Sequence, residues 1–212
     1  MRIPIAPDGY RFILPLLVLT VLALYMDWNI TAALSFLALV FVTNFFRDPE
    51  RTIPQTPGAV VSPADGKVME IVQDKDEMLD QPGLRVSIFL NVFNVHINRI
   101  PATGTVEEIR YNKGKFLNAA SHRASQENEH TSIRLRSGPH QILFKQIAGL
   151  IARRIVCYAQ PGQSFSRGDR FGLIRFGSRA DLFLPLGSRV EVSVGDHVRG
   201  GSSIIGYLPE GD

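Results

Sequence analysis

Arg175-Phe176-Gly177-Ser178-Arg179-Ala180-Asp181-Leu182-Phe183-Leu184-Pro185 sets a glycine–serine pair between two short apolar runs. That pattern predicts one β-strand giving way to the next at Gly177-Ser178. Glycine supplies the backbone freedom a strained turn needs, and a serine hydroxyl just after it can reach back to the preceding carbonyl. Such an attack would turn the peptide bond into an ester. β-Elimination would then cut the chain and leave the serine as a ketone at a new N-terminus. Gly-Ser is also an ordinary turn dipeptide, and it recurs at Gly187-Ser188 and Gly201-Ser202, so the pair needs support from the rest of the chain.

Upstream of this stretch the sequence reads as β. Val60-Val61, Val68 to Val72, Val86 to Leu90, Val106 to Tyr111, Ser132 to Leu135 and Gln141 to Ile147 are short runs rich in branched residues, bounded by Gly, Pro and Asp. Leu117 to Glu129 is polar and lacks strand periodicity, which predicts a loop or short helix long enough to cover a site. Gly162 to Gly172 and Val192 to Gly201 form a weak internal repeat, each with a Gly-Asp turn between short strands. Together these features predict a mainly β domain, a compact sandwich or barrel-sandwich of short strands.

The N-terminal part differs in character. Phe12 to Met26 and Ile30 to Phe46 are nearly all apolar and are separated by Asp27-Trp28-Asn29. Each run is at or just under the length needed to cross a bilayer. A second apolar run follows at once and no small-residue cleavage site intervenes, which counts against a signal peptide. Arg2 and Arg11 precede the pair and Arg47 and Arg51 follow it, so the positive-inside rule places both ends in the cytoplasm. The expected organisation is a helical membrane hairpin over 1–47, spanning or re-entrant, and a β domain over 48–212 entered through a linker punctuated by Pro49, Pro54 and Pro57.

Of the 212 residues, 45% are hydrophobic, and the net charge is +3. No block of lysine and arginine resembles a nucleic-acid arm; a mild positive excess beside apolar segments fits an anionic membrane surface and the cytoplasmic face of the cell membrane. Cys157 is the single cysteine, which excludes an intrachain disulfide, and no metal-ligand spacing surrounds it. It reads as a small core residue.

Asp65 sits in a turn, Pro63-Ala64-Asp65-Gly66, where aspartate commonly caps its own backbone. His96 stands among apolar neighbours, as a hydrogen-bonded core histidine would. His122, His130, His140 and His197 lie in polar or turn contexts and read as solvated. Asp65, His96 and Ser178 are compatible with a base-activated serine, while the Gly-x-Ser-x-Gly elbow of ordinary hydrolases is missing.

Six blocks then carry a resemblance. They are Phe46-Arg47-Asp48-Pro49-Glu50-Arg51, Ser62-Pro63-Ala64-Asp65-Gly66, Phe89 to Pro101, Tyr111 to Ala119, Gln146-Ile147-Ala148-Gly149 and Arg175 to Arg179. In this order the chain resembles the phosphatidylserine decarboxylases of the short, archaeal-type class. The resemblance implies self-cleavage between Gly177 and Ser178, giving a large subunit 1–177 and a small subunit 178–212. Ser178 would become a covalent pyruvoyl cofactor, an electron sink that forms an imine with the serine amine of the lipid and replaces pyridoxal phosphate. Asp65 matches the catalytic aspartate. His96 matches the first histidine of a His-x-x-His pair in the longer enzymes, and Arg99 stands where the second would be. His96 is a reasonable proton donor because histidine as a residue type titrates near neutrality; Arg99 is open to a role with the lipid phosphate or carboxylate. Lys113, Lys115 and Arg179 could meet the anionic headgroup or be solvated charges. The implied partners are phosphatidylserine, the membrane and the two subunits of one precursor, with a homo-oligomer left open. No metal and no nucleic acid are expected. The rival reading is a non-catalytic membrane-anchored β-sandwich adaptor.

Overall fold

The computed structural model describes residues 4–119, 121, 123–150, 154–175 and 178–209. The chain divides into two compact units, Met1–Glu50 and Arg51–Asp212.

In the first unit, a 3-10 turn at Pro7–Gly9 leads into α1 (Tyr10–Tyr25), and α2 (Asn29–Phe45) follows. Pro7–Tyr25, at 19 residues, is long and apolar enough to cross a membrane, whereas Asn29–Phe45 is shorter. At a rise of 1.5 Å per residue these correspond to roughly 28 Å and 25 Å, against a hydrocarbon core of about 30 Å. The reversal between the helices places Asp27 at φ 57°. Small residues line the contact between the helices: Ala23 and Ala32 are buried, and Thr20 Oγ1 lies 3.0 Å from Ser35 Oγ. Small and hydroxyl side chains of this kind let apolar helices approach closely. Leu14, Val18, Val21, Leu24, Leu34 and Leu37 point outward and are exposed.

The second unit is mainly β. Its strands are β1 (Ala59–Val61), β2 (Gly66–Asp74), β3 (Gly83–Leu90), β4 (Ile97–Arg99), β5 (Gly104–Asn112), β6 (His130–Ser137), β7 (His140–Ala148), β8 (Arg154–Cys157), β9 (Ser164–Phe165), β10 (Arg170–Arg175), β11 (Ser178–Pro185), β12 (Arg189–Val190), β13 (His197–Val198) and β14 (Ile204–Tyr207), with a short helix α3 (Ala124–Glu127) before β6. An eight-stranded sheet runs β13-β2-β3-β11-β7-β6-β5-β9, and two three-stranded sheets run β1-β14-β12 and β4-β10-β8. Among the described residues the strands of these sheets pair antiparallel. One apolar core joins the three sheets. Val86, Ile88, Phe144 and Leu182 come from the large sheet, Val60 and Ile205 from the second, and Phe171 from the third. This is the sandwich of short strands expected from the branched runs, each of which falls on a strand.

Alternation along β11 sorts its side chains. Leu182 and Leu184 enter the core; Phe183, on the opposite face, packs with Met78 and Leu143. Both faces are therefore covered, and Ser178 to Leu184 are all buried.

The internal repeat is physical. In Ser166-Arg167-Gly168-Asp169 the aspartate Oδ2 accepts the Ser166 N–H at 2.8 Å, and in Ser193-Val194-Gly195-Asp196 it accepts the Ser193 N–H at 2.8 Å. Gly168 and Gly195 take φ values of 87° and 105°, a region that only glycine enters without strain. The proline-rich segment after Arg51 is pinned to the first of these turns. Arg167 donates to the carbonyls of Pro54, Thr56 and Ala59, and Ile53 lies against the Cα of Gly168.

Candidate active site

β3, β11 and β7 lie side by side, with Ser178 facing Leu90 on one neighbour and Ala148 on the other. Ser178 opens β11 directly after Gly177; Phe176 and Gly177 fall outside the described residues. Its side chain is fully buried, and among the described residues its Oγ has no hydrogen-bond partner. A dry hydroxyl without a partner is uncommon, because it loses water's hydrogen bonds and gains none.

The segment after Leu90 turns back through Asn91 to Asn94, closed by reciprocal contacts: Asn91 N–H donates to Asn94 Oδ1 and Phe93 N–H to Asn91 Oδ1, at 2.9 and 2.8 Å. This delivers His96, 1% exposed, to the start of β4. Its Nδ1 lies 2.9 Å from the Asn94 carbonyl. A carbonyl only accepts, so Nδ1 carries the proton and Nε2 is the basic nitrogen. The Ile174 N–H donates to the His96 carbonyl at 3.3 Å, which ties His96 to the strand that runs on toward Ser178.

Asp65 comes to the same end of the sheet. The neighbouring Ala64 packs with Leu90 and Ala180, and the Arg99 N–H donates to the Pro63 carbonyl at 2.9 Å. Asp65 does not cap its own turn; Ser62 does, its Oγ donating to the Ala64 carbonyl at 2.6 Å. The Asp65 carboxylate is held instead by Arg51, 2.8 Å from Oδ2, and by the Gly200 N–H, 2.8 Å from Oδ1. That Arg51 and Gly200 meet Asp65 escaped the sequence reading because no local signal points to either contact. Gly66 lies so close to the Phe89 carbonyl that a Cβ would stand 2.2 Å from its oxygen, so only glycine lets β2 start there.

Arg99 is 4% exposed and donates to the Gly168 carbonyl at 2.9 Å. Arg179 departs from a solvated charge. It is 1% exposed, with Nε 2.6 Å from Asp181 Oδ1 and Nη2 2.7 Å from Ser87 Oγ. Around it lie Glu70, Asp74, Arg85 and Ser125, all bound into one polar cluster on the face of the sheet opposite the core. Lys113 and Lys115 are not brought to Ser178. Lys113 lines a cleft of about 510 Å³ with Lys75, Arg110, His130 and Lys145, and Lys115 is exposed and paired with Glu127. His130, expected in solvent, is buried. Its Nδ1 donates to the Asn128 carbonyl at 2.7 Å and its Nε2 accepts from Asn112 at 2.9 Å. Burial first, and then the Lys145 charge, push its pKa below the ordinary histidine value, and the Asn128 carbonyl opposes them. His140 and His197 stay partly or fully exposed, and His122 lies outside the described residues. Cys157 is half-buried against the main core, and burial pushes its thiol pKa up. Among the described residues no group of three or more His, Cys, Asp or Glu could hold a metal ion.

A dry serine, a histidine whose Nδ1–H faces a carbonyl and a clamped aspartate are the kinds of group from which a base-activated serine could be built. Comparison with known proteins narrows the class. The family model for phosphatidylserine decarboxylase matches residues 38–206. The chain is 45% identical to the phosphatidylserine decarboxylase proenzyme of Desulfotalea psychrophila over 209 residues, 98% of each chain. It is 45% identical to that of Burkholderia pseudomallei over 207 residues, 97% of this chain and 96% of the relative. With the Aromatoleum aromaticum proenzyme it shares 50% identity over 174 residues, 82% of this chain and 81% of the relative. The chain belongs to the phosphatidylserine decarboxylase family.

Proposed function

We propose that the chain is the precursor of a membrane-associated enzyme of the short class that decarboxylates phosphatidylserine to phosphatidylethanolamine. In this reading it cuts itself between Gly177 and Ser178. The observation that carries the reading is the Ser178 hydroxyl, sealed from water at the first position of a central strand and without a partner among the described residues. The word proenzyme in the relatives' names agrees with a precursor that matures.

Self-cleavage is an acyl shift followed by elimination. Ser178 Oγ bonds to the Gly177 carbonyl carbon, the carbon–nitrogen bond breaks, and the hydroxyl proton passes through the base to the freed nitrogen. Loss of the Cα proton then breaks the Oγ–Cβ bond and leaves a carboxylate on Gly177. Water converts the remaining enamine to the ketone and releases ammonia. His96 suits the base role because its Nδ1–H is committed to Asn94, which leaves Nε2 to take the proton. Asp65, locked between Arg51 and Gly200, holds its carboxylate without freedom to swing away.

The described residues fit a pyruvoyl group, since position 178 has apolar neighbours on both flanking strands, Leu90 and Ala148. Bound there, that group supplies the keto carbon that condenses with the lipid amine and withdraws the electrons released with carbon dioxide. With Arg99 braced against Gly168, the proton work falls to His96. The two apolar helices would hold the enzyme where its substrate lies, with the β domain on the cytoplasmic face.

Intact mass of the purified protein, with carbonyl labelling of the smaller fragment, tests the reading. Two fragments, the smaller starting at position 178 and carrying a ketone, are expected; Ser178→Ala should stay whole and inactive. His96→Ala and Asp65→Ala should slow processing at least tenfold. A wild-type chain that stays whole yet releases carbon dioxide from the lipid would end the proposal, and a fragment starting at Ser188 would move the site.

A further inference from the structure

Gln146 has no part in the chemistry above. Its side chain is fully buried. Nε2 donates to Asn98 Oδ1 at 2.9 Å and to the Val156 carbonyl at 3.1 Å. Two acceptors on one nitrogen settle which end of the amide is which. The other end, Oε1, is buried and has no partner among the described residues. An acceptor in that position costs folding free energy unless something donates to it.

The strand register places Ser178 close to Gln146. Ser178 faces Ala148 and Ala180 faces Gln146 across the β11–β7 pair, so Ser178 and Gln146 are diagonal neighbours on one face, within reach of a long side chain. The two orphans are complementary, a carbonyl that can only accept and a hydroxyl that can donate. The amide is held by the strand that follows directly on His96, since Asn98 belongs to β4 and its Nδ2 lies 3.5 Å from the Pro63 carbonyl in the Asp65 turn. Gly172 makes room for it, because a Cβ there would stand 2.8 Å from Nε2.

We propose that Gln146 is a positioning residue for self-cleavage. Its Oε1 accepts the Ser178 hydroxyl hydrogen and so orients the oxygen lone pair toward the Gly177 carbonyl before the base removes the proton. Gln146 takes up no proton itself. The idea rests on the cleavage proposed above and adds to it the group that aims the nucleophile.

The test follows processing of the full chain by intact mass. Gln146→Met removes the acceptor and should slow appearance of the fragment starting at position 178 at least tenfold. Gln146→Glu keeps an oxygen acceptor but gives up both donations made by Nε2, and should slow processing several-fold, less than Gln146→Met does. The pH profile of processing should keep its shape in Gln146→Met, because the amide does not titrate, whereas His96→Ala should change it. Asn98→Ala, which frees one anchor of Nε2, should slow processing several-fold, and the double variant should be no slower than Gln146→Met alone. Wild-type rates in Gln146→Met overturn the proposal, as do equal losses in the Met and Glu variants or additive losses in the double variant. Should Gln146→Met fail to fold, the Glu and Asn98 variants decide by the same criteria: a loss of tenfold or more in Glu, or none in Asn98→Ala, overturns it. A wild-type chain that never cleaves refutes the cleavage reading and is distinguishable from all of these.

Discussion

Arg179 stands next to Ser178 in sequence, yet it is directed away from it. Its guanidinium is 1% exposed and meets Asp181 and Ser87, with Glu70 3.4 Å away. Removing one partner of a buried ion cluster leaves the others uncompensated. Arg179→Met is therefore expected to lose about 3–5 kcal/mol of stability, read as an earlier urea midpoint with an unchanged slope. His130 makes a pH prediction. Its folded pKa lies below the ordinary value because burial penalises the imidazolium. The unfolded chain then binds more protons between the two values, so stability rises with pH through that window. It is lost as pH falls below about 6.5 and the fall ends once the folded pKa is passed. Urea unfolding at several pH values should show this slope, flattened in His130→Gln.

Among the elements, β2 and β3 meet closely beside Asp65. The Gly66 Cα lies against the Phe89 backbone, where an added Cβ would stand 2.2 Å from a carbonyl oxygen that cannot rotate away. Gly66→Ala should cost about 1–3 kcal/mol, the range of overpacking. It should also slow processing, because the strand start carries Asp65 with it; thermal unfolding and fragment mass check the two effects separately. The paired Gly-Asp turns are the second feature at this scale. Gly168 receives Arg99 and Ile53, and the turn at Gly195 is followed by Gly200, whose N–H holds Asp65. A repeat visible as two similar strings thus becomes scaffolding for the candidate site.

Across the whole molecule, the division at Glu50 and Arg51 predicts separable duties. A chain lacking residues 2–50 should still process itself. Its turnover of phosphatidylserine in vesicles should fall at least tenfold, while turnover of a soluble short-chain analogue stays within a few-fold. The strands and the apolar hairpin were legible because both rest on local periodicity: branched runs between turn residues, and two long apolar runs around Asp27-Trp28-Asn29. Ser178 stood out as a candidate because a glycine precedes it, and Asp65 and His96 stood out as candidates within motif blocks. The contacts of Arg51, Gly200, Asn98 and Gln146 were not legible, even where the residue lies in a quoted block, since each acts through a neighbour far away in the chain. What the sequence determined by itself was the class of fold and the membership of a family, and it offered Ser178 as the candidate reactive serine. Only the tertiary structure decided which charges are buried, that Arg179 and His130 are withdrawn from water, and that an orphan amide shares a face with an orphan hydroxyl. Burial and hydrogen-bond satisfaction depend on strands distant in sequence coming side by side, and local residue order carries little information about that.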